Sequence, residues 1–170
     1  MRYLELGRFS ANQRRTIWTG FILGVGLMGA VDSIIFHQLL QWHHFYYDTT
    51  QFWRIFSDGL LQGFTAGMLF FGAMRLWFDR HRISRLFSGS VLWAGLLLGA
   101  GAFQLFDGII NHKVLRLHQV REGVENNLPY DIAWNGFALL LLLIGVIVLR
   151  GAVPEEHSAD TAHVDQNSGT

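Results

Sequence analysis

Apolar residues along this chain gather into four blocks separated by short polar stretches. The blocks run over about 16–40, 58–78, 88–111 and 131–149. Each holds roughly 19 to 25 residues, enough at ~1.5 Å rise per residue to cross a hydrocarbon core of ~30 Å. Neither period-two alternation nor turn signals interrupt them, so strands are a poor reading. In lipid the backbone must satisfy itself, which makes each block a helix. The pattern predicts an all-α integral membrane four-helix bundle contained in residues 1–150.

The flanking residues orient this bundle. Nine basic residues (Arg2, Arg8, Arg14, Arg15, Arg75, Arg80, Arg82, Arg85 and Arg150) fall on one side, and four (Arg54, Lys113, Arg116 and Arg121) on the other. The positive-inside rule then places both termini in the cytoplasm. Trp18, Trp42, Trp53, Trp77 and Trp134 lie near block ends, as an aromatic belt requires. The N-terminal stretch lacks a short apolar run with a small-residue cleavage site, so the first block is expected to stay as a span. Residues 151–170, polar and aperiodic beyond Pro154, are expected to form a disordered cytoplasmic tail.

Composition narrows the function classes. Of 170 residues, 51% are hydrophobic and 15% charged, against the ~25% charge of a soluble domain. The lack of cysteine excludes a disulfide scaffold, a CxxC redox site and a thiolate metal site. A net charge of zero speaks against a nucleic-acid binder. The bilayer is the partner this composition demands, with homo-oligomerisation left open. Nothing resembles a nucleophilic triad, a phosphate-binding loop or a nucleotide fingerprint, so the reading leans away from an enzyme.

An internal repeat changes the picture. Residues 20–43 (GFILGVGLMGAVDSIIFHQLLQWH) match residues 95–118 (GLLLGAGAFQLFDGIINHKVLRLH) at an offset of 75. Shared positions include Gly20/Gly95, Gly24/Gly99, Gly26/Gly101, Asp32/Asp107, His37/His112 and His43/His118. The second and fourth blocks match at an offset of 73, through Asp58/Asp131, Gly63/Gly136, Phe64/Phe137 and Gly72/Gly145. The bundle is therefore expected to be two tandem two-helix repeats, about 16–78 and 88–150. Two spans per copy give the copies one orientation, with a pseudo-two-fold axis along the membrane normal.

Most lipid-facing positions differ between the copies, whereas the glycines and the Asp and His positions do not. Gly20, Gly24, Gly95 and Gly99, extended by Gly26 and Gly101, form small-xxx-small patterns that let helices approach closely. Smooth glycine faces would also accommodate a flat cofactor such as haem. Asp32 and Asp107 sit in the outer third of the bilayer, where a charge costs ~3 kcal/mol and marks a partner or a function. His37, His112, His43, His44, His118, Asp58 and Asp131 gather at the same membrane face.

These residue types suit copper, zinc or iron. On a regular helix Asp32 and His37, five residues apart, diverge by about 140°, and His43 lies ~16 Å from Asp32. Neither pair can then share an ion, so a site must combine the copies or draw on connections that fold back. Three alternatives stay open. Asp and His can hydrogen-bond to hold the hairpins in register. His37 with His112, or His43 with His118, can be axial haem ligands of a membrane oxidoreductase. Asp32 and Asp107 can relay protons in a small transporter.

The pattern GxxLGxGxxxxxDxxxxHQxLQWHH at 20–44, followed by DGxxxHxxLxxHxVRE at 107–122, resembles a family of uncharacterised bacterial four-helix membrane proteins. The family is known only as a domain of unknown function. The resemblance covers about residues 16–150, and Ser33 departs from it where glycine is expected, as at Gly108. It implies a multi-pass protein of the bacterial plasma membrane. Members tend to be found near cytochrome oxidase assembly and copper-handling proteins, which implies respiratory or metal-handling membrane partners. The combined expectation is a transition-metal site at the extracytoplasmic face, serving metal handling or assembly support.

Overall fold

The computed structural model describes residues 9–83 and 89–152. The expected tail, but for its first two residues, lies outside the described residues, as do Arg2, Arg8 and Arg85. The described residues form four α-helices: α1 (Ala11–Val31), α2 (Gln51–Ile83), α3 (Gly89–Phe106) and α4 (Leu128–Gly151). α1 and α3 each continue directly into a π-helix, π1 (Asp32–Leu39) and π2 (Asp107–Val114). The described residues contain no strand.

Among the described residues, length and apolarity suffice for membrane crossing in three stretches, Ala11–Leu39, Ser90–Val114 and Leu128–Gly151. The second expected span, about 58–78, is not among them. α2 has 33 residues, about 50 Å at ~1.5 Å per residue, but Asp58, Gln62 and Arg75 dilute its apolar run. It nevertheless runs antiparallel to α1 and its π-helical continuation from Thr19 to His37. Arg75 donates from Nε to Thr19 Oγ1, Gly26 packs on Leu69, Ser33 donates to Gln62, and His37 meets Asp58.

The packing is that of a membrane bundle. Fully buried positions are small or polar, among them Thr19, Ser33, Thr65, Ala94 and Ala138, whereas Phe64, Phe70, Phe71, Trp93 and Leu140 are exposed. A water-soluble domain would put the large apolar residues inside. Lipid supplies no hydrophobic drive between helices, so small residues that admit close backbone contact hold them together.

That contact is closest between α1 and α3. A Cβ on Gly20 or Gly24 would run into the backbone of Leu92, Leu96 and Ala100. A Cβ on Gly95 or Gly99 would strike Ile17 and Phe21. Exchanging the copies at the 75-residue offset turns Gly20 against Leu92 into Gly95 against Ile17. The seam is thus consistent with two tandem copies about a two-fold axis. Gly26 and Gly101 lie elsewhere, against α2 and α4 respectively, so they pack each hairpin within itself.

Candidate metal centre

Both π-helices begin at an aspartate, Asp32 and Asp107. Closure from residue i to i+5 brings the residue five positions on close over the first. Asp32 and His37 therefore share a face, as do Asp107 and His112. This corrects the expectation, drawn from regular α geometry, that the two must diverge. Beyond each π-helix the chain turns at Gln41 (φ 52°) and Arg116 (φ 51°), equivalent positions in left-handed conformation. Trp42 N–H closes on Phe36 O, and Leu117 N–H on Asn111 O. Each closure is one residue wider than the usual Schellman ending. The reversal carries His43 and His118 back over the helix ends, so the ~16 Å separation expected for an uninterrupted helix does not arise.

Two Asp–His–His sets result: Asp32, His37 and His43, and Asp107, His112 and His118. In each set one ligand atom per residue lies within 4.8 Å of the others, and all six residues are buried. His37 Nε2 is 3.4 Å from Asp32 Oδ2, and His43 Nε2 is 3.5 Å from Asp32 Oδ1. In the second set His112 Nε2 is 2.9 Å from Asp107 Oδ2, and His118 Nε2 is 3.7 Å from Oδ1.

The four imidazoles form one cluster. His43 and His118 stack with centroids 4.6 Å apart. His37 lies 4.5 Å from His43, and His112 lies 4.6 Å from His118. The cross-distances, His37–His118 and His43–His112, are 6.0 and 5.9 Å. The near-equality of these pairs is consistent with a two-fold axis between the stacked rings. The connections obey the same symmetry. His43 Nδ1 bonds Val120 O at 2.7 Å, and His118 Nδ1 bonds Phe45 O at 2.9 Å. Glu122 N–H reaches Trp42 O while Tyr47 N–H reaches Leu117 O.

These carbonyls decide the chemistry. A carbonyl only accepts, so a neutral His43 or His118 keeps its proton on Nδ1 and presents a lone pair at Nε2. Burial pushes the His118 imidazole down to about 3, which keeps it neutral. His37 is fixed likewise, its Nδ1 2.7 Å from Asp58 Oδ1. Neutral His37, His43 and His118 then turn Nε2 lone pairs towards carboxylate oxygens across buried space, whereas no partner at Nδ1 fixes His112, whose Nε2 lies 2.9 Å from Asp107 Oδ2. Both Asp32 oxygens and the Nε2 atoms of all four histidines lack a hydrogen-bond partner. Among the described residues no lysine or arginine pairs with Asp32 or Asp107. Acceptor facing acceptor repels unless a cation lies between.

The outer layer differs between copies. Asp58 Oδ1 takes His37 Nδ1 and the Phe45 N–H, while Oδ2 takes His44 Nδ1 at 2.6 Å. Its counterpart Asp131 takes Lys113 Nζ instead, and His112 Nδ1 has no partner. Gln119 stands where His44 does. Asn111, in the place of Phe36, donates to Asp107 Oδ1 at 2.8 Å. Of the nine residues expected at the site, six meet in the two sets. Asp58 and His44 back the first set, and Asp131 is drawn off to Lys113. Trp134 is corrected from belt to wall: it is buried, with its ring 6.0 Å from His43 and 5.6 Å from His112. Trp42 likewise packs on Phe36 and Tyr130. The carbonyls of Phe45 and Val120 were not expected, although they occupy equivalent positions two residues beyond each histidine.

A bundle with a small, polar interior and an apolar surface defines a helical integral membrane protein, here with a twinned histidine–aspartate cluster at one end. The chain belongs to the family described as "Predicted membrane protein (DUF2243)", whose profile matches residues 19–152. No curated protein and no solved structure matches it.

Proposed function

We propose that this protein holds transition-metal ions at one end of its bundle, one in each Asp–His–His set, for metal handling without catalysis. The observation that carries this reading is the convergence of the Nε2 atoms of four histidines on two buried carboxylates that pair with no lysine or arginine among the described residues. Charge-assisted hydrogen bonds run about 2.7–2.9 Å, so 3.4 and 3.5 Å in the first set are too long for direct pairing. They suit the edge of a tetrahedron, about 3.3 Å for bonds of 2.0–2.1 Å. That favours zinc or copper, with one position left for an exogenous ligand. Full burial of the six side chains favours holding or passing on an ion over turning over a bulky substrate. The stacked His43 and His118 rings leave no gap for a macrocycle, which weighs against haem between them. The arginines of the opposite end support an extracytoplasmic position for the cluster under the positive-inside rule.

Protein purified in detergent, stripped with chelator and reloaded with zinc or copper, is expected to retain two ions per chain by ICP-MS. The paired substitution His37→Ala plus His112→Ala is expected to retain fewer than half as many. Background metal in the reloaded protein, or full retention by the pair, overturns the proposal.

A further inference from the structure

At the end of the bundle remote from the histidines, Ala11, Arg14, Arg15, Trp18 and Ile22 form a stripe along α1. With Arg75 of α2 they line an open groove of about 570 Å³. Arg75 lies at the level of Thr19, inside the stretch facing α1's membrane span, and its Nε bonds the Thr19 hydroxyl at 3.0 Å. Among the described residues no carboxylate pairs with Arg14, Arg15 or Arg75. A guanidinium at membrane depth ordinarily pairs with an anion or lines a functional site.

The second copy supplies a comparison. Trp93 and Leu97 stand where Trp18 and Ile22 do, but Gly89, Ser90 and Val148 replace Arg14, Arg15 and Arg75. The apolar half of the surface is therefore common to both copies, and the three cations belong to one. A ligand fitting this groove needs an anionic head for the arginines and an apolar body for exposed Trp18 and for Ile22.

We infer that the groove binds an anionic phospholipid, its phosphate held by Arg14, Arg15 and Arg75 and its glycerol and acyl region lying along Trp18 and Ile22. Basic recesses between spanning helices recognise lipid headgroups in this way. The inference does not depend on metal at the opposite end.

The test is titration of phosphatidylglycerol or phosphatidylcholine into protein in uncharged detergent, read by Trp fluorescence and native mass spectrometry. Saturable binding of phosphatidylglycerol at least tenfold tighter than phosphatidylcholine is expected. Arg15→Gln plus Arg75→Gln should lose that tenfold preference, and Arg14→Gln plus Arg15→Gln, both exposed on α1, should lose most of it. Arg75→Lys, which keeps the charge, should keep it. Equal binding of the two lipids, or an unchanged preference in both glutamine pairs, overturns the inference. So does an equal response to inorganic phosphate alone, which marks a free-anion site.

Discussion

Replacing Asp58 by Asn should separate the two metal positions. Asp58 takes three donors in the first set: His37 Nδ1 at 2.7 Å, His44 Nδ1 at 2.6 Å and the Phe45 N–H at 2.7 Å. An amide offers one oxygen and a group that cannot accept, so His37 loses its ionic partner or must share a neutral one. The partner fixes the His37 tautomer, and its loss lets a proton move to Nε2, the atom facing Asp32. Outer partners of metal-binding histidines are each worth about 10–100-fold in affinity, or about 1.4–2.7 kcal/mol. Asp58→Asn should weaken one of the two ions by that factor and leave the other within about twofold. Asp131→Asn, at the equivalent position, should change neither ion much, because Asp131 holds Lys113 and no histidine. The assay is a competition titration against a chelator of known affinity, resolving two dissociation constants in each variant. Equal weakening by the two substitutions, or two unchanged constants in Asp58→Asn, would refute the assignment of Asp58 as the positioning residue of one set.

Three further outcomes follow from the geometry. Gly24→Val should lower the detergent melting temperature, because a Cβ there meets the Leu96 and Ala100 backbone. Gly63→Ala, with open space around its Cβ, should be neutral or stabilising by up to about 1 kcal/mol of helix propensity. Thermal scans of both variants check this, and equal losses would sink the close-packed seam. The His118 imidazole titrates at about 3 when folded against 6.5 when free, so below 6.5 the unfolded chain binds the proton that the folded chain refuses. Metal-free protein should therefore lose stability as pH falls from 6.5 towards 3, and His118→Asn should flatten that slope. Removing metal with chelator should lower the melting temperature, and ion at 100 times its dissociation constant should restore about 2.7 kcal/mol. Superimposable melts with and without metal would contradict binding to the folded state.

The sequence made the cast of residues visible and hid their arrangement. Asp32, His37 and His43 stood out because costly polar residues recur at Asp107, His112 and His118. Their spacing was unreadable under a 3.6-residue period, since five residues mean divergence on an α-helix and stacking on a π-helix. The same five-residue Asp-to-His spacing in both copies was the available cue. The reversals at Gln41 and Arg116 gave no cue at all, because left-handed turns are ordinarily announced by glycine or asparagine. Trp134 illustrates the converse. A tryptophan near a span end fits an aromatic belt by position, and only the returning connection turns it into the cluster's wall.

The irregular backbone and the cluster explain one another. Two π-helices and two non-glycine residues at positive φ are each uncommon, and left-handed residues cost of order 1–3 kcal/mol. Both irregularities occur at equivalent places in the two copies, around the same Asp–His–His spacing. Without the π turn His37 would leave Asp32, and without the reversal His43 would point away from it. Removing either regularises the chain but disperses the lone pairs. The differences between the copies, Phe36 against Asn111, His44 against Gln119 and Gln38 against Lys113, lie outside the six convergent residues. One template thus carries two chemically distinct surroundings. The first set keeps an unshared Asp32 and an Asp58-backed His37; the second has Asp107 shared with Asn111 and an unbacked His112. An ion should settle first where the donors carry more negative charge and fewer competing hydrogen bonds. The position set by Asp32, His37 and His43 should therefore fill before its twin.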